Sequence, residues 1–242
     1  MQSKTILITG ATSGIGLALA KQSVKAGHTV IITGRHQEKL DKVASEIGVK
    51  TYLADSADLD QVAALGKSLH DDGVVLDGVV LNAGVFYPSS FEETTPEQFD
   101  QTFAINTKGA FFTLQSLLPC LARPASVVFT SSIVVYKGFA GCAVYAASKA
   151  AFEATVRVLN IELADRDIRI NTFRPGITAT DIHAKAGMTP EQQQGTYESL
   201  KATPLGRELR ADDHAGTILY LLDDASLALR NAVIDVDGGF TL

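Results

Sequence analysis

The chain has 242 residues, 46% of them hydrophobic, enough to bury a sizeable core in one large α/β unit rather than two small ones. A formal net charge of -6 and a pI near 5.3, with no concentrated basic run, argue against nucleic acid as principal partner. No apolar run approaches the roughly 20 residues that span a bilayer, so the expectation is a soluble, cytoplasmic protein without a membrane partner.

Short β-branched runs alternate with longer segments of helical period. Strands are predicted near 4–9, 29–34, 49–54, 75–81, 125–131, 168–174 and 231–236, and helices near 14–26, 37–47, 58–72, 96–121, 143–165 and 211–223. This βαβα rhythm predicts an α/β fold, a Rossmann-like doubly wound sheet of seven mostly parallel strands with helices on both faces. Val79-Val80-Leu81 and Val127-Val128-Phe129 are continuously apolar, as in central strands buried on both faces. Two stretches break the rhythm, 85–95 with Pro88 and 178–210 with Pro190 and Pro204. The second is long enough to form a substrate lid within one domain spanning 1–242. Cys120 and Cys142 give neither a disulfide framework nor metal-ligand spacing, and the five histidines are scattered, so no metal is expected.

Between the first strand and the first helix stand Gly10, Gly14 and Gly16, in the series Thr9-Gly-Ala-Thr-Ser-Gly-Ile-Gly16. A turn there, with Thr12, Ser13 and Ile15 between the glycines, brings backbone N–H groups and a helix N-terminus against a pyrophosphate. Further on come Asn82-Ala83-Gly84, Ser132, Tyr145-x-x-x-Lys149, Pro175-Gly176 and Asp237-Gly238-Gly239. With these in order along essentially the whole chain, the sequence resembles the single-domain short-chain dehydrogenase/reductase family. Leu81 departs from the pattern, standing where the family often has a second Asn.

The resemblance implies a nicotinamide dinucleotide held by the glycine loop and by Asn82, Ala83 and Gly84, with Tyr145 and Lys149 also touching it. Pro175, Gly176, Ile177 and Thr180 would edge the nicotinamide pocket. Asp55, with Ser56 beside it, resembles the adenine-contacting acid, although Asp55 also suits a helix N-terminal region. An acid at the end of the second strand would accept hydrogen bonds from the adenosine ribose and repel a 2′-phosphate. The sequence instead reads Ile32-Thr33-Gly34-Arg35-His36, and Arg35 offers a forked cation, which favours NADP over NAD. Ser13 stands where some NADP-dependent relatives carry a second basic residue.

Carbonyl reduction needs a proton for oxygen as well as a hydride for carbon, and the protein must supply the proton. Lys149, four residues after Tyr145 on a helix, shares its face. A charge about 4 Å away at an effective dielectric near 20 is worth about 4 kcal/mol, so the lysine is expected to draw the phenol well below its ordinary pKa of about 10. Ser132 is the expected holder of the substrate oxygen, with Ser131 as competitor, and Asn106 by resemblance extends a proton relay from Lys149. The catalytic set is therefore Asn106, Ser132, Tyr145 and Lys149, acting on a small-molecule carbonyl or secondary alcohol.

Two other classes remain: a lyase, epimerase or dehalogenase on the same fold, and a redox-sensing dinucleotide-binding protein without turnover. The intact glycine loop and the Tyr/Lys pair weigh against both. Ile182, Ala186, Met188 and Tyr197 point to a partly apolar substrate. An acidic acyl carrier would want a basic rim, for which only Arg123 and Lys137 stand near the expected mouth. The small residues after Tyr145, with Phe111, Phe112, Leu114, Leu117 and Leu118, are expected to pack a partner helix in a homo-tetramer, whose second two-fold axis the resemblance places at the C-terminal 233–242.

Overall fold

A computed structural model describes residues 3–242. Its strands are β1 (Thr5–Ile8), β2 (Thr29–Gly34), β3 (Lys50–Leu53), β4 (Leu76–Leu81), β5 (Leu121–Thr130), β6 (Ile168–Pro175), β7 (Thr178–Ala179), β8 (Leu209–Arg210) and β9 (Val233–Val236). Its α-helices are α1 (Gly14–Lys25), α2 (Gln37–Ile47), α3 (Leu59–Asp71), α4 (Pro96–Phe103), α5 (Ala110–Leu117), α6 (Ala143–Glu162), α7 (Ile182–Lys185), α8 (Pro190–Ser199) and α9 (Asp212–Leu222).

Seven strands form one parallel sheet in the order β3-β2-β1-β4-β5-β6-β9, as the alternating pattern predicts. Successive side chains on a strand face opposite ways, so each central strand feeds two cores. Leu7, Val79, Val127 and Ile170 pack under α3, α5 and α6 with Leu65, Leu117 and Phe152. Ile6, Ile8, Val80 and Val128 pack under α1, α2 and α9 with Leu19, Leu40 and Ile218. Strand order reverses between β1 and β4, which opens a crevice at the carboxyl ends of these strands.

The structure departs from the predicted elements where local chemistry breaks the period. The predicted helix 96–121 is three pieces: α4, a π-helical turn at Ala104–Gly109, and α5. A Cβ on Gly109 would lie 2.2 Å from the Ser56 carbonyl oxygen, so the turn runs where only glycine fits. β5 begins at Leu121, four residues early. The exposed Arg123 and Pro124 then bulge out between the Leu76–Leu121 and Gly78–Ser126 pairs, because proline has no N–H for the ladder. The stretch 178–210 is built rather than irregular, with α7, α8 and a two-stranded β7-β8 ribbon. α8 starts at a capping box in which the Thr189 and Gln192 side chains take each other's backbone N–H groups.

One apolar expectation is corrected. Leu114 and Leu117 are buried in this chain's own core, and Phe111 and Leu118 pack against it, so the sheet covers most of the surface predicted for a partner. The exposed apolar residues on that side are Val158 and Ile161 of α6, at 50% and 76% exposure.

His214 on α9 is fully buried. Its Nε2 lies 2.8 Å from Thr178 Oγ1, whose own proton goes to the Gly176 carbonyl, so His214 donates from Nε2 and its buried Nδ1 has no partner. Burial depresses this imidazole from 6.5 to about 4, because its protonated form would bury an unpaired charge. The unfolded chain therefore binds more protons than the folded one between those values. Stability contributed by neutral His214 is complete above about pH 6.5 and lost as pH falls toward 4. On moving from pH 7 to pH 5, wild-type protein should lose about 2 kcal/mol more unfolding free energy than His214→Gln, read by urea unfolding. Equal losses would show that His214 does not carry the pH dependence.

Candidate active site

The glycine loop is held from beneath by β4. Thr9 Oγ1 accepts the backbone N–H groups of Asn82 and Ala83, both at 3.0 Å, and Asn82 Nδ2 donates to the carbonyls of Thr9 and Gly10 at 3.0 and 3.3 Å. Gly10 has φ of 63°, and a Cβ there would lie 2.8 Å from Ala83 Cα. Gly16 serves packing, since its Cβ would lie 2.6 Å from Asn82 Nδ2. Ser13 is the N-cap of α1, its side chain caps no backbone N–H, and the first turn holds no acid. The result is a helix N-terminus with free donors facing the crevice.

That crevice is a cleft of about 420 Å³ lined by Gly10, Thr12, Ser13, Gly14 and Ile15, by Arg35, by Asp55 and Ser56, and by Asn82, Ala83 and Gly84. Ser131, Tyr145, Lys149, Pro175 and Thr180 close its far end. These residues fit a dinucleotide: the glycines leave the cradle that a Cβ would fill, and the open donors sit where a pyrophosphate needs them. Asp55 Oδ1 accepts the Ala57 N–H at 3.0 Å, while the N-cap of α3 is Asp58. Sequence reasoning missed three basic neighbours. His36 and Lys39 line the cleft beside Arg35, and Lys185 of α7 donates to Ser13 Oγ at 3.1 Å. Lys39, four residues after Arg35, was within reach of a helical-spacing argument. Lys185 was not, because the fold of the 178–210 segment brings it there.

A second cavity of about 930 Å³ adjoins the first and shares Tyr145, Pro175 and Thr180 with it. Ser132 lines this second cavity and Ser131 the first, which separates the two candidate hydroxyls. Gly176 and Ile177 also lie on the second-cavity side. Ser132 Oγ accepts the Val134 N–H at 3.3 Å and lines the same cavity as the Tyr145 phenol. Phe86 packs on the Tyr145 ring, with centroids 5.1 Å apart. Ile182, Ala186 and Met188 line the cavity as expected, whereas Tyr197 hydrogen bonds His183.

Lys149 is buried, and its ammonium donates to the Thr130 carbonyl at 2.8 Å. The lysine was expected to pull the phenol down, and the structure reverses that. Burial pushes Tyr145 up to about 12, with Ser132 opposing it, and burial brings Lys149 down to about 8. The ammonium is spent on Thr130 and stands 5.9 Å from the Tyr145 ring centroid, too far to offset the lost hydration. Asn106 is fully buried in the π-helical turn. Its carboxamide binds the Val85 N–H at 2.8 Å and the Val85 carbonyl at 3.0 Å, and donates to Ser148 Oγ at 3.1 Å. Short π-helical turns of this kind often mark functional sites.

Arg123 sits at the amino end of β5, opposite the crevice, and Lys137 is engaged by the Phe240 carbonyl at 2.9 Å. Arg123 therefore supplies no part of the basic rim considered for an acyl carrier.

A family model described as Enoyl-(Acyl carrier protein) reductase matches residues 10–241. The chain belongs to the short-chain dehydrogenase/reductase family. It is 34% identical to Oxidoreductase asL5 of Sarocladium schorii over 99% of this chain and 96% of that protein. It is 32% identical to 3-oxoacyl-(acyl-carrier-protein) reductase FabG of Thermotoga maritima, over 100% and 99%. Among solved structures, a short-chain dehydrogenase/reductase of Brucella melitensis described as glucose/ribitol dehydrogenase superposes with a TM-score of 0.90 at 28% identity, covering 98% of this chain and 96% of that one. A Brucella melitensis 3-ketoacyl-(acyl-carrier-protein) reductase complexed with NADH (TM-score 0.87, 28% identity, coverage 100% and 99%) and BdcA in complex with NADPH (0.86, 27%, 99% and 95%) are also similar. The chain is an NAD(P)-dependent oxidoreductase of this family, and both dinucleotides occur among its structural relatives. Among the described residues no helix is long and apolar enough to cross a membrane, and no cluster of His, Cys, Asp or Glu has metal-binding geometry.

Proposed function

We propose that this enzyme interconverts a carbonyl compound and its secondary alcohol with NADP(H), Tyr145 acting as general acid/base. The observation that carries the reading is the meeting of Tyr145, Ser132 and Lys149 where the dinucleotide cleft opens into the second cavity. When bound, the dinucleotide supplies the hydride. The Tyr145 phenol, protonated at neutral pH with its pKa raised to about 12, is poised to donate a proton to a carbonyl oxygen. Ser132 holds that oxygen and stabilises developing negative charge. Lys149 binds the nicotinamide ribose and restores the phenol's proton, and Asn106 extends the relay toward solvent. The chain acts as one cytoplasmic domain, with 178–210 as its lid.

Gly10, Thr12, Ser13, Gly14, Ile15 and Gly16 would hold the pyrophosphate, Asp55 and Ser56 the adenine, Asn82, Ala83 and Gly84 the adenosine ribose, and Pro175, Gly176, Ile177 and Thr180 the nicotinamide. NADP is the preferred dinucleotide because the end of β2 carries Arg35 and no acid. Arg35 is exposed and has no ion-pair partner among the described residues, with Lys39 close enough to share a phosphate.

Tyr145→Phe should cut turnover at least 10²-fold while NADPH affinity, read by calorimetry, falls far less, because only the proton donor is removed. Retention of more than about a tenth of wild-type activity would refute the role. Arg35→Ala should weaken NADPH binding by about 1.5 to 3 kcal/mol and leave NADH nearly untouched, as for loss of a charge-assisted hydrogen bond. Equal losses for both dinucleotides would place Arg35 in a structural role. The exposed Val158 and Ile161 on α6 support assembly into a homo-tetramer. Light scattering at micromolar concentration should give four times the chain mass, and a monomeric mass would end that part of the proposal.

A further inference from the structure

The second cavity is distinctive in what lines it. No Asp, Glu, Lys or Arg side chain does so, although the adjoining dinucleotide cleft carries Arg35, Lys39, Asp55, Lys149 and Lys185. Phe86, Ile133, Val134, Phe139, Ile177 and Met188 make the walls. At about 930 Å³ the cavity is at the large end of the range for small-molecule pockets. A carboxylate or phosphate bound here would leave water and meet neither a cation nor a cluster of donors.

At the lid end the polar groups are His183, Gln192 and Thr196. The Thr196 hydroxyl is engaged within α8, and Gln192 is engaged there through its oxygen while its Nε2 has no protein partner among the described residues. Gln192 Oε1 accepts the Thr189 N–H at 2.8 Å, and the Thr196 hydroxyl donates to the Gln192 carbonyl at 2.9 Å. His183 differs. Its Nδ1 lies 2.8 Å from the Tyr197 hydroxyl. Its Nε2 has no protein partner among the described residues and is open to a ligand oxygen, as donor or acceptor according to the tautomer.

We propose that the substrate is a bulky, uncharged, predominantly apolar ketone bearing a second oxygen, and that His183 reads that oxygen through Nε2. One end of the ligand is fixed by Tyr145 and Ser132 at the carbonyl, the other by His183 on the lid, and the apolar body fills the space between. This rests on the reading of Tyr145 as partner of the carbonyl oxygen. It excludes sugars, whose many hydroxyls would go unpaired against apolar walls, and it excludes anionic ketones.

The test separates binding from chemistry. The probes are α-tetralone, its ring-hydroxylated isomers and a ring-carboxylated isomer, titrated calorimetrically into the Tyr145→Phe protein saturated with NADPH. The expected result is that α-tetralone binds, at least one hydroxylated isomer binds about tenfold tighter, and the carboxylated isomer binds at least 100-fold weaker. In Tyr145→Phe/His183→Phe, and in the same direction in Tyr145→Phe/Tyr197→Phe, the hydroxyl's advantage should fall toward onefold. Carboxylate binding equal to the parent, or failure of every tetralone to bind while small aliphatic ketones do, would overturn the substrate class. An advantage that persists without the imidazole would overturn the role of His183. NADPH consumption by wild-type and Tyr145→Phe protein is read alongside, so undiminished turnover in the latter would sink the catalytic reading while leaving the binding result to stand on its own.

Discussion

The Asn82 carboxamide ties β4 to the loop that leaves β1, and the geometry of both cavities depends on it. Its two donors meet the carbonyls of Thr9 and Gly10, which have no helix or ladder partner to use, and the Thr9 hydroxyl answers by accepting two N–H groups from the next strand. A half-buried polar clasp of this kind loses stability if a member is missing, since a carbonyl left alone there is poorly hydrated. The clasp also passes position along the chain. Two residues on, a Cβ at Gly84 would lie 3.1 Å from Lys149 Nζ and 3.3 Å from Asn106 Oδ1, and Val85 is held at both its backbone groups by Asn106. Ser148 then links Asn106 to the backbone of Tyr145, through a 2.7 Å hydrogen bond to the Tyr145 carbonyl. The glycine loop and the Tyr145 backbone are thus joined by hydrogen bonds and the short Asn82–Val85 segment across the sheet's switch point.

Within that frame, burial sets the protonation states. Taking phenol and ammonium out of water moves their pKa values in opposite directions, the phenol toward its neutral acid and the lysine toward its neutral base. Both shifts favour the uncharged forms of the two groups. Groups whose environments push their pKa values apart divide acid and base roles between them.

Much of this was legible because the informative residues are those that must be one type. The continuous apolar runs Val79-Val80-Leu81 and Val127-Val128-Phe129 marked strands buried on both faces, and the order of motifs placed Tyr145, Lys149 and Ser132 on one site. The π-helical turn escaped notice because its cause is a contact between Gly109 and Ser56, more than fifty residues apart in sequence. The same limit hid the covering of Leu114 and Leu117, which periodicity marks as apolar without saying against what. The direction of the Tyr145 shift was misjudged for a further reason: helical spacing reports that Lys149 shares a face with Tyr145, but not that its ammonium is turned to Thr130.

The segment after β6 couples the two cavities. Pro175 and Thr180 line both, and Gly176 is packed so that its Cβ would lie 2.7 Å from Asp237 Cα. Asp237 in turn accepts the backbone N–H groups of Gly239 and Thr241, which folds the C-terminal tail against the turn. Beyond that turn α7 presents Lys185 to the dinucleotide cleft and His183 to the second cavity, two residues apart on a single helical turn. A shift of this turn that brought Lys185 toward a bound phosphate would also move His183 relative to Tyr145. The two cavities therefore meet at one short helix, and Asp, Lys and Arg side chains line the dinucleotide cleft, whereas no Asp, Glu, Lys or Arg side chain lines the second cavity.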